Sequence, residues 1–404
     1  MKLLTPKYNM DPLLDSIVSG LIAIVHDELE ENILILKSSK EVILTVKLNK
    51  GFKMVFIPPH GKIKTPLLCS VFYDNDEAPL VISTPLFNTE NTKKIIKLLE
   101  FKCIALHCFD ENKREFIGVD CDINFVNFNI DELKKLNLPE RDDSLLLFSI
   151  YDIDTKYILQ EENYIDITIK DNGYLSDLTI IDATLTSHNY HGAIGKSELN
   201  HGVGVSKLQI EEPGEYQERD IALFLSKIFQ QNHIYLNPMN DKPIKSDREE
   251  ICDVLLITKK NILIIQAKDS PNIERILRQK LERKISNANS NIKKAISQMN
   301  GAIKELQKNN TLCIYVNDEK HDIDITDKKI YGIILIKEYF PENHTASKDA
   351  LLNISEKKNI QSILMDMYEL NIFTSNLNED NFFELIEFIF EKRKNDASFQ
   401  VRMI

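Results

Sequence analysis

The chain has 404 residues, with 62 Asp and Glu against 50 Lys and Arg and a formal net charge of −12. That length accommodates two or three domains with cores of their own, and the acidic balance excludes a general polyanion binder. No charged-then-apolar leader opens the sequence and no apolar run approaches ~18 residues, so a cytoplasmic protein that neither is exported nor spans a membrane is expected.

The first part reads as β-rich. Ile33–Leu36, Val42–Leu48, Lys53–Ile57 and Leu67–Tyr73 are short extended runs separated by turn-forming breaks. Asn88 or Thr89 caps a helix through Ile95 and Leu98, and Phe101–Phe109 with Arg114–Val119 reads as a hairpin around residues 110–113. Residues 1–130 are therefore expected to form an α+β domain, for recognition or regulation, with a mainly antiparallel sheet. Residues 131–204 read as a β-rich extension and linker. They hold strand-like Ser144–Ile150, Tyr164–Ile169 and Leu178–Ile181, then a polar stretch with His188, His191 and His201 that reads as solvated linker rather than as ligands. The six cysteines (69, 103, 108, 121, 252 and 313) form no Cys-x-x-Cys pair. Cys103, His107, Cys108 and Cys121 lie in strand-like runs whose opposite-facing side chains cannot easily share one zinc ion. Buried free thiols are expected instead.

A further domain is expected over 205–404. Residues 215–229 form a helix-like run with Ile221, Leu225 and Ile228 on one stripe, which Glu218 continues towards the N-terminus. After Lys268, the run Asp269-Ser270-Pro271-Asn272 stops a strand and opens a helical stretch. Apolar residues then recur at 281, 285, 288, 292, 295, 299, 302 and 306, a narrow seam expected to pack on a sheet. An interruption at Asn287 to Asn291, giving two helices instead of one, is the alternative to a single helix. Arg275, Arg278, Lys280, Arg283, Lys284, Lys293 and Lys294 make this segment the local basic patch, with Glu282 the one acid from 275 to 294. It is suited to salt-dependent contacts with a phosphate backbone. Ile330–Lys337 reads as a buried strand, and Gln361–Leu370 and Glu379–Lys392 as amphipathic helices.

The sharpest signal lies at 252–268, where two β-branched runs flank Lys259-Lys260. Antiparallel pairing about that break puts Asp253 opposite Gln266 on one face, and period-two alternation adds Lys268 to it. A carboxylate beside an amide oxygen suits a hard cation such as Mg²⁺, and a lysine next to that ion can orient water and neutralise charge building on a phosphate. Glu218, costly on a buried stripe without a partner, is the natural further acid, with Glu215 and Asp220 as rivals.

Together, Glu218 on a helix, Asp253 on a strand and Gln266-Ala267-Lys268 on the next strand resemble the PD-(D/E)XK nuclease superfamily. They are most similar to its Mrr-like restriction endonucleases, which write the usual Glu-x-Lys as Gln-x-Lys. The resemblance covers roughly 205–340 and lacks the proline before Asp253. It implies an α/β restriction-endonuclease-like fold with a mixed sheet flanked by helices, and a metal-dependent endonuclease acting on DNA, with RNA an open alternative, in restriction or antiphage defence. Asp253, Gln266 and the Ala267 carbonyl would hold Mg²⁺ or Mn²⁺, Lys268 would be the catalytic lysine and Glu218 the helix acid. A homodimer or higher oligomer and a separate ATPase or sensor subunit are the partners it suggests. The alternatives are a catalytically silent nucleic-acid-binding or assembly subunit of the same fold, since Gln lacks the charge of Glu, and an unrelated interaction protein.

Overall fold

A computed structural model describes residues 4, 10–17, 19–25, 31–59, 65–75, 79–141, 162–170, 180–182, 204–206, 208–211, 214–337 and 340–395. The expected strand at 144–150 and the three-histidine stretch lie outside the described residues. The N-terminal elements are α1 (Asp11–Leu14), β1 (Gly20–Ile24), β2 (Ile33–Lys37), α2 (Lys40–Asn49), β3 (Gly51–Ile57), β4 (Leu67–Phe72), β5 (Leu80–Pro85), α3 (Glu90–Leu98), β6 (Cys103–Phe109), β7 (Glu115–Val126), α4 (Ile130–Lys134) and β8 (Tyr164–Ile169). Their strands form one eight-stranded sheet in the order β1-β2-β6-β7-β8-β3-β4-β5. Every pairing in it is antiparallel except β2 with β6.

Two sequence expectations change here. The sheet does not stop at residue 130: β8, from the stretch read as extension and linker, pairs centrally between β7 and β3. Alternation in Tyr164-Ile165-Asp166-Ile167-Thr168-Ile169 sends its three isoleucines into the core. Residues 42–48, read as a strand, belong to helix α2. Ser39 caps it by accepting from Val42 N, and Lys50 ends it in the left-handed region at φ 54°. The helix is buried on nearly every side, so it shows no amphipathic period to tell it from a buried strand.

Gly51 opens β3 at φ +140°, and a Cβ there would lie 1.9 Å from the Ile167 carbonyl oxygen of β8. Gly51→Ala is expected to cost at least about 2 kcal/mol, read as a lower urea midpoint. An unchanged midpoint would show that this close approach does not constrain the sheet.

Further along, β9 (Ile180–Asp182) pairs with β10 (Gly204–Ser206). There follow α5 (Gly214–Leu225), β11 (Ile234–Leu236), β12 (Met239–Asn240), β13 (Val254–Ile257), β14 (Asn261–Lys268), α6 (Glu274–Leu277), α7 (Leu281–Leu306), β15 (Thr311–Val316), β16 (Glu319–Asp324), β17 (Lys329–Ile336), α8 (Pro341–Lys358), β18 (Gln361–Asp366), α9 (Met367–Asn376) and α10 (Glu379–Asn395). The main sheet here runs β11-β13-β14-β17-β18, and β12, β15 and β16 form a smaller one. β11, β13 and β14 are antiparallel neighbours, whereas β14, β17 and β18 are parallel. Helices cover both faces. Ile221 and Leu225 of α5 and Phe382 and Ile386 of α10 pack on Leu263, Ile265 and Ile333, while Ile292, Ala295 and Met299 of α7 pack on Ile262, Ile264 and Ile334. Burial on both faces is why β14 reads as a continuous apolar run rather than as an alternation.

The seam of α7 thus packs on the sheet, and the helix runs unbroken for 26 residues. Asn287 and Asn291 do not interrupt it, because Ala288 and Ile292 keep the seam buried and asparagine costs a helix interior only about 0.7 kcal/mol. Residues 361–370, read as one helix, are a strand and then a helix, with Asp366 the cap of α9. Of the cysteines, 69, 108, 121 and 252 are buried free thiols, but Cys103 is exposed and Cys313 half-buried. Among the described residues no helix is long and apolar enough to cross a membrane.

Candidate active site

The hairpin of β13 and β14 pairs Val254 with Ile265 and Ile257 with Ile262. One step further out, that register sets Asp253 opposite Gln266. Asp253 is 8% exposed. Its Oδ2 accepts from Ala267 N at 2.5 Å and lies 3.7 Å from Lys268 Nζ. Gln266 is buried and donates from Nε2 to the Ile251 carbonyl at 3.3 Å, while its Oε1 has no hydrogen-bond partner among the described residues. A buried amide oxygen without a donor is uncommon and costly, and it is a fitting ligand for a hard cation.

Glu218, on α5, joins the group through Asn237. Asn237 sits just past β11 in the left-handed region, donates from Nδ2 to Glu218 Oε2 at 2.7 Å, and from its backbone N–H to the Asp253 carbonyl at 3.0 Å. Of the rival acids, Asp220 turns to the N-terminal unit, accepting from Arg114 Nη2 at 2.9 and 3.0 Å and from Asn112 Nδ2 at 3.0 Å. The side chain of Glu215 lies outside the described residues.

Sequence reasoning missed Glu250. Bridged to Met239 at the backbone, it is exposed, yet its carboxyl is pushed up to about 8 by desolvation and then by the charge of Asp253 and a hydrogen bond with it, with Glu218 adding to the shift and Lys268 opposing it. No periodicity could have revealed it, because residues 248–253 belong to no regular strand. Asn237 did carry a signal, the Asn-Pro turn at Asn237-Pro238. Among the described residues no three His, Cys, Asp or Glu side chains could by themselves hold an ion. A cation here would depend on the Gln266 amide and the Ala267 carbonyl beside Asp253, and the unpartnered Gln266 Oε1 fits that role.

The basic segment is split between α6 and α7. Arg275, Lys280, Arg283, Lys293 and Lys294 are exposed. Arg278 is exposed too, but donates to Glu274 at 2.9 Å and Asn49 at 3.4 Å. Lys284 departs from the expected phosphate-gripping face: it is 6% exposed and pairs with Asp74 at 2.5 Å. The N-terminal unit covers this part of the segment, with Leu277 reaching into its core. Between the end of β14 and α7 lies a small cleft of about 20 Å³, lined by Lys268, Ser270, Gln279, Lys284, Asn291 and Lys337 among others. No protein-family model matches the chain, and no curated protein matches it.

Proposed function

We propose that the chain is a metal-dependent endonuclease with a PD-(D/E)XK core, acting on DNA. The observation that carries this reading is the convergence of Asp253, Lys268 and the unpartnered Gln266 Oε1 at one end of the hairpin. The succession α5, β11, β13, β14, α7, β17, with β17 parallel to β14, supports a restriction-endonuclease-like core. Asp253, Gln266 and the Ala267 carbonyl would hold Mg²⁺ or Mn²⁺, with Glu218 supplying outer negative charge and Glu250 adding its own once a cation displaces its proton. When bound, the ion makes water a better nucleophile and neutralises phosphate charge. Lys268 donates to the attacking water or to the phosphoryl oxygen where charge develops. Glu218, held by Asn237, positions water from the helix side, and the exposed part of the basic segment holds the backbone.

Supercoiled plasmid incubated with Mg²⁺, Mn²⁺ or EDTA tests this directly. Metal-dependent nicking or linearisation is expected, and no cleavage of DNA or RNA with either metal would refute it. Alanine at Lys280, Arg283, Lys293 and Lys294 should weaken DNA binding and flatten its salt dependence by roughly one ion per lost contact; an unchanged slope would place the nucleic acid elsewhere.

A pH dependence follows from Glu250. Its folded value is raised, so below about 8 Glu250, hydrogen-bonded to Asp253, keeps a proton that a cation must displace. Mg²⁺ affinity, titrated calorimetrically, should rise roughly tenfold per pH unit below that point and level off above it. A flat profile between pH 6 and 9 would separate Glu250 from the metal site.

A further inference from the structure

Each lysine that lines the cleft is matched to its own carboxylate. Lys268 faces Asp253 at 3.7 Å, Lys284 faces Asp74 at 2.5 Å, and Lys337 faces Glu41 at 2.8 Å, with Asp269 of its own unit farther off at 3.8 Å. The first pair lies within the proposed site, but Asp74 and Glu41 come from the N-terminal unit, from the end of β4 and from α2. Both reach in deeply. The Lys284 and Asp74 side chains are 4% and 2% exposed, and those of Lys337 and Glu41 are 8% and 19% exposed. Asp74 is also held from behind, accepting from Leu80 N at 3.2 Å, and its neighbour Asn75 donates to the Gln279 carbonyl at 3.1 Å. Lys337 follows β17 directly and donates to the Ser270 carbonyl, two residues beyond Lys268.

Buried ion pairs contribute little net stability over apolar contacts of the same shape, so stability alone does not account for two of them on one cleft. Their lysines are suited to a phosphate, as compact charges with several donors each. Lys284 also stands in the first turn of α7, where the helix dipole favours an anion, and Lys280 at the N-cap makes no side-chain cap bond.

We propose that the cleft of Lys284 and Lys337 is a subsite for a backbone phosphate of the nucleic-acid strand entering at Lys268, and that Asp74 and Glu41 occupy it as carboxylate stand-ins. The N-terminal unit is then an intramolecular competitor of the substrate, and binding of a strand requires it to give up these lysines. This rests on the nuclease reading above and adds its regulation.

The test is DNA binding by the full chain in EDTA, followed by fluorescence anisotropy of a short labelled duplex and its single strand. Asp74→Asn keeps an acceptor for Leu80 N but loses the charge on Lys284. It should bind about tenfold more tightly than wild type with a steeper salt slope, and adding Lys284→Ala should erase the gain. Equal, measurable binding by wild type and Asp74→Asn, or a gain that survives Lys284→Ala, overturns the inference and leaves the nuclease reading standing. No binding of DNA or RNA by any form overturns the inference, and the nuclease reading is then decided by cleavage with Mg²⁺ or Mn²⁺. Because Asp74→Asn leaves Lys284 without its carboxylate and risks misfolding, hydrogen exchange on the wild-type chain is the second measurement. Saturating DNA should speed exchange at the Leu80 amide and slow it at the start of α7; unchanged exchange at Leu80 overturns the proposal.

Discussion

Lys268→Ala is expected to reduce phosphodiester cleavage by about 10²–10³-fold or more while leaving the fold and DNA binding near wild type. The reasoning is local. Lys268 is the last residue of β14, and its ammonium lies 3.7 Å from Asp253 Oδ2 on the partly open side of the hairpin. A partly exposed pair at that distance contributes within about 1 kcal/mol to stability, so the thermal midpoint should barely move. Asp253 keeps its bond from Ala267 N, so metal affinity should persist in the variant. Lost cleavage with retained Mg²⁺ binding would mark a group that acts on the transition state. Asp253→Asn should instead lose both. Wild-type cutting by Lys268→Ala would remove the site from this hairpin altogether.

Much of this site was legible because a hairpin is local. Turn position and period two were enough to set Asp253 opposite Gln266, and the observed register agrees. Lys284 was not legible. Its helix, its charge and its place on α7 followed from the sequence, but the acid that buries it lies 210 positions away, on a strand end of the other unit. Charge patterning along one helix says nothing of which face a distant unit will cover. α2 was misread for a related reason: packed on nearly all sides, it offered β-branched residues and no polar face, and only the Ser39 cap betrayed it. Residues 361–370 did carry a legible sign. Asp366 and Glu369 form a reciprocal capping box, with Glu369 N donating to Asp366 at 2.7 Å and Asp366 N to Glu369 at 2.9 Å. That pattern marks a helix start at 367 and leaves Ser362–Met365 as the buried strand it is. Glu250 had no such sign, since an irregular segment takes its direction from tertiary contacts.

Arg114→Ala is expected to destabilise the protein by about 3–5 kcal/mol, the cost of breaking a buried pair by removing one partner. Arg114 Nε donates to Asp110 at 2.6 Å, and its Nη2 spans both oxygens of Asp220 on α5. Asp110 is fully buried, and the arginine side chain is 6% exposed. Burial pushes the Asp220 carboxyl up, but Arg114 and Lys40 outweigh it and hold it below the usual carboxylate range. Without the guanidinium two carboxylates face each other, with Lys40 at 3.3 Å from Asp220, Asn112 and the backbone N–H of residue 114 as the remaining partners. The urea midpoint should fall sharply at neutral pH and recover in part with Asp110→Asn added, which removes one of the stranded charges. The same variant reports on the site. Asp220 stands two residues after Glu218 on α5, so releasing it loosens the helix that sets Glu218 against Asn237. Under conditions where the variant is still folded, metal affinity should therefore weaken while Lys268 and Asp253 remain in place. A midpoint within about 1 kcal/mol of wild type would show the cluster to be solvated in the working protein, as exposed ion pairs are.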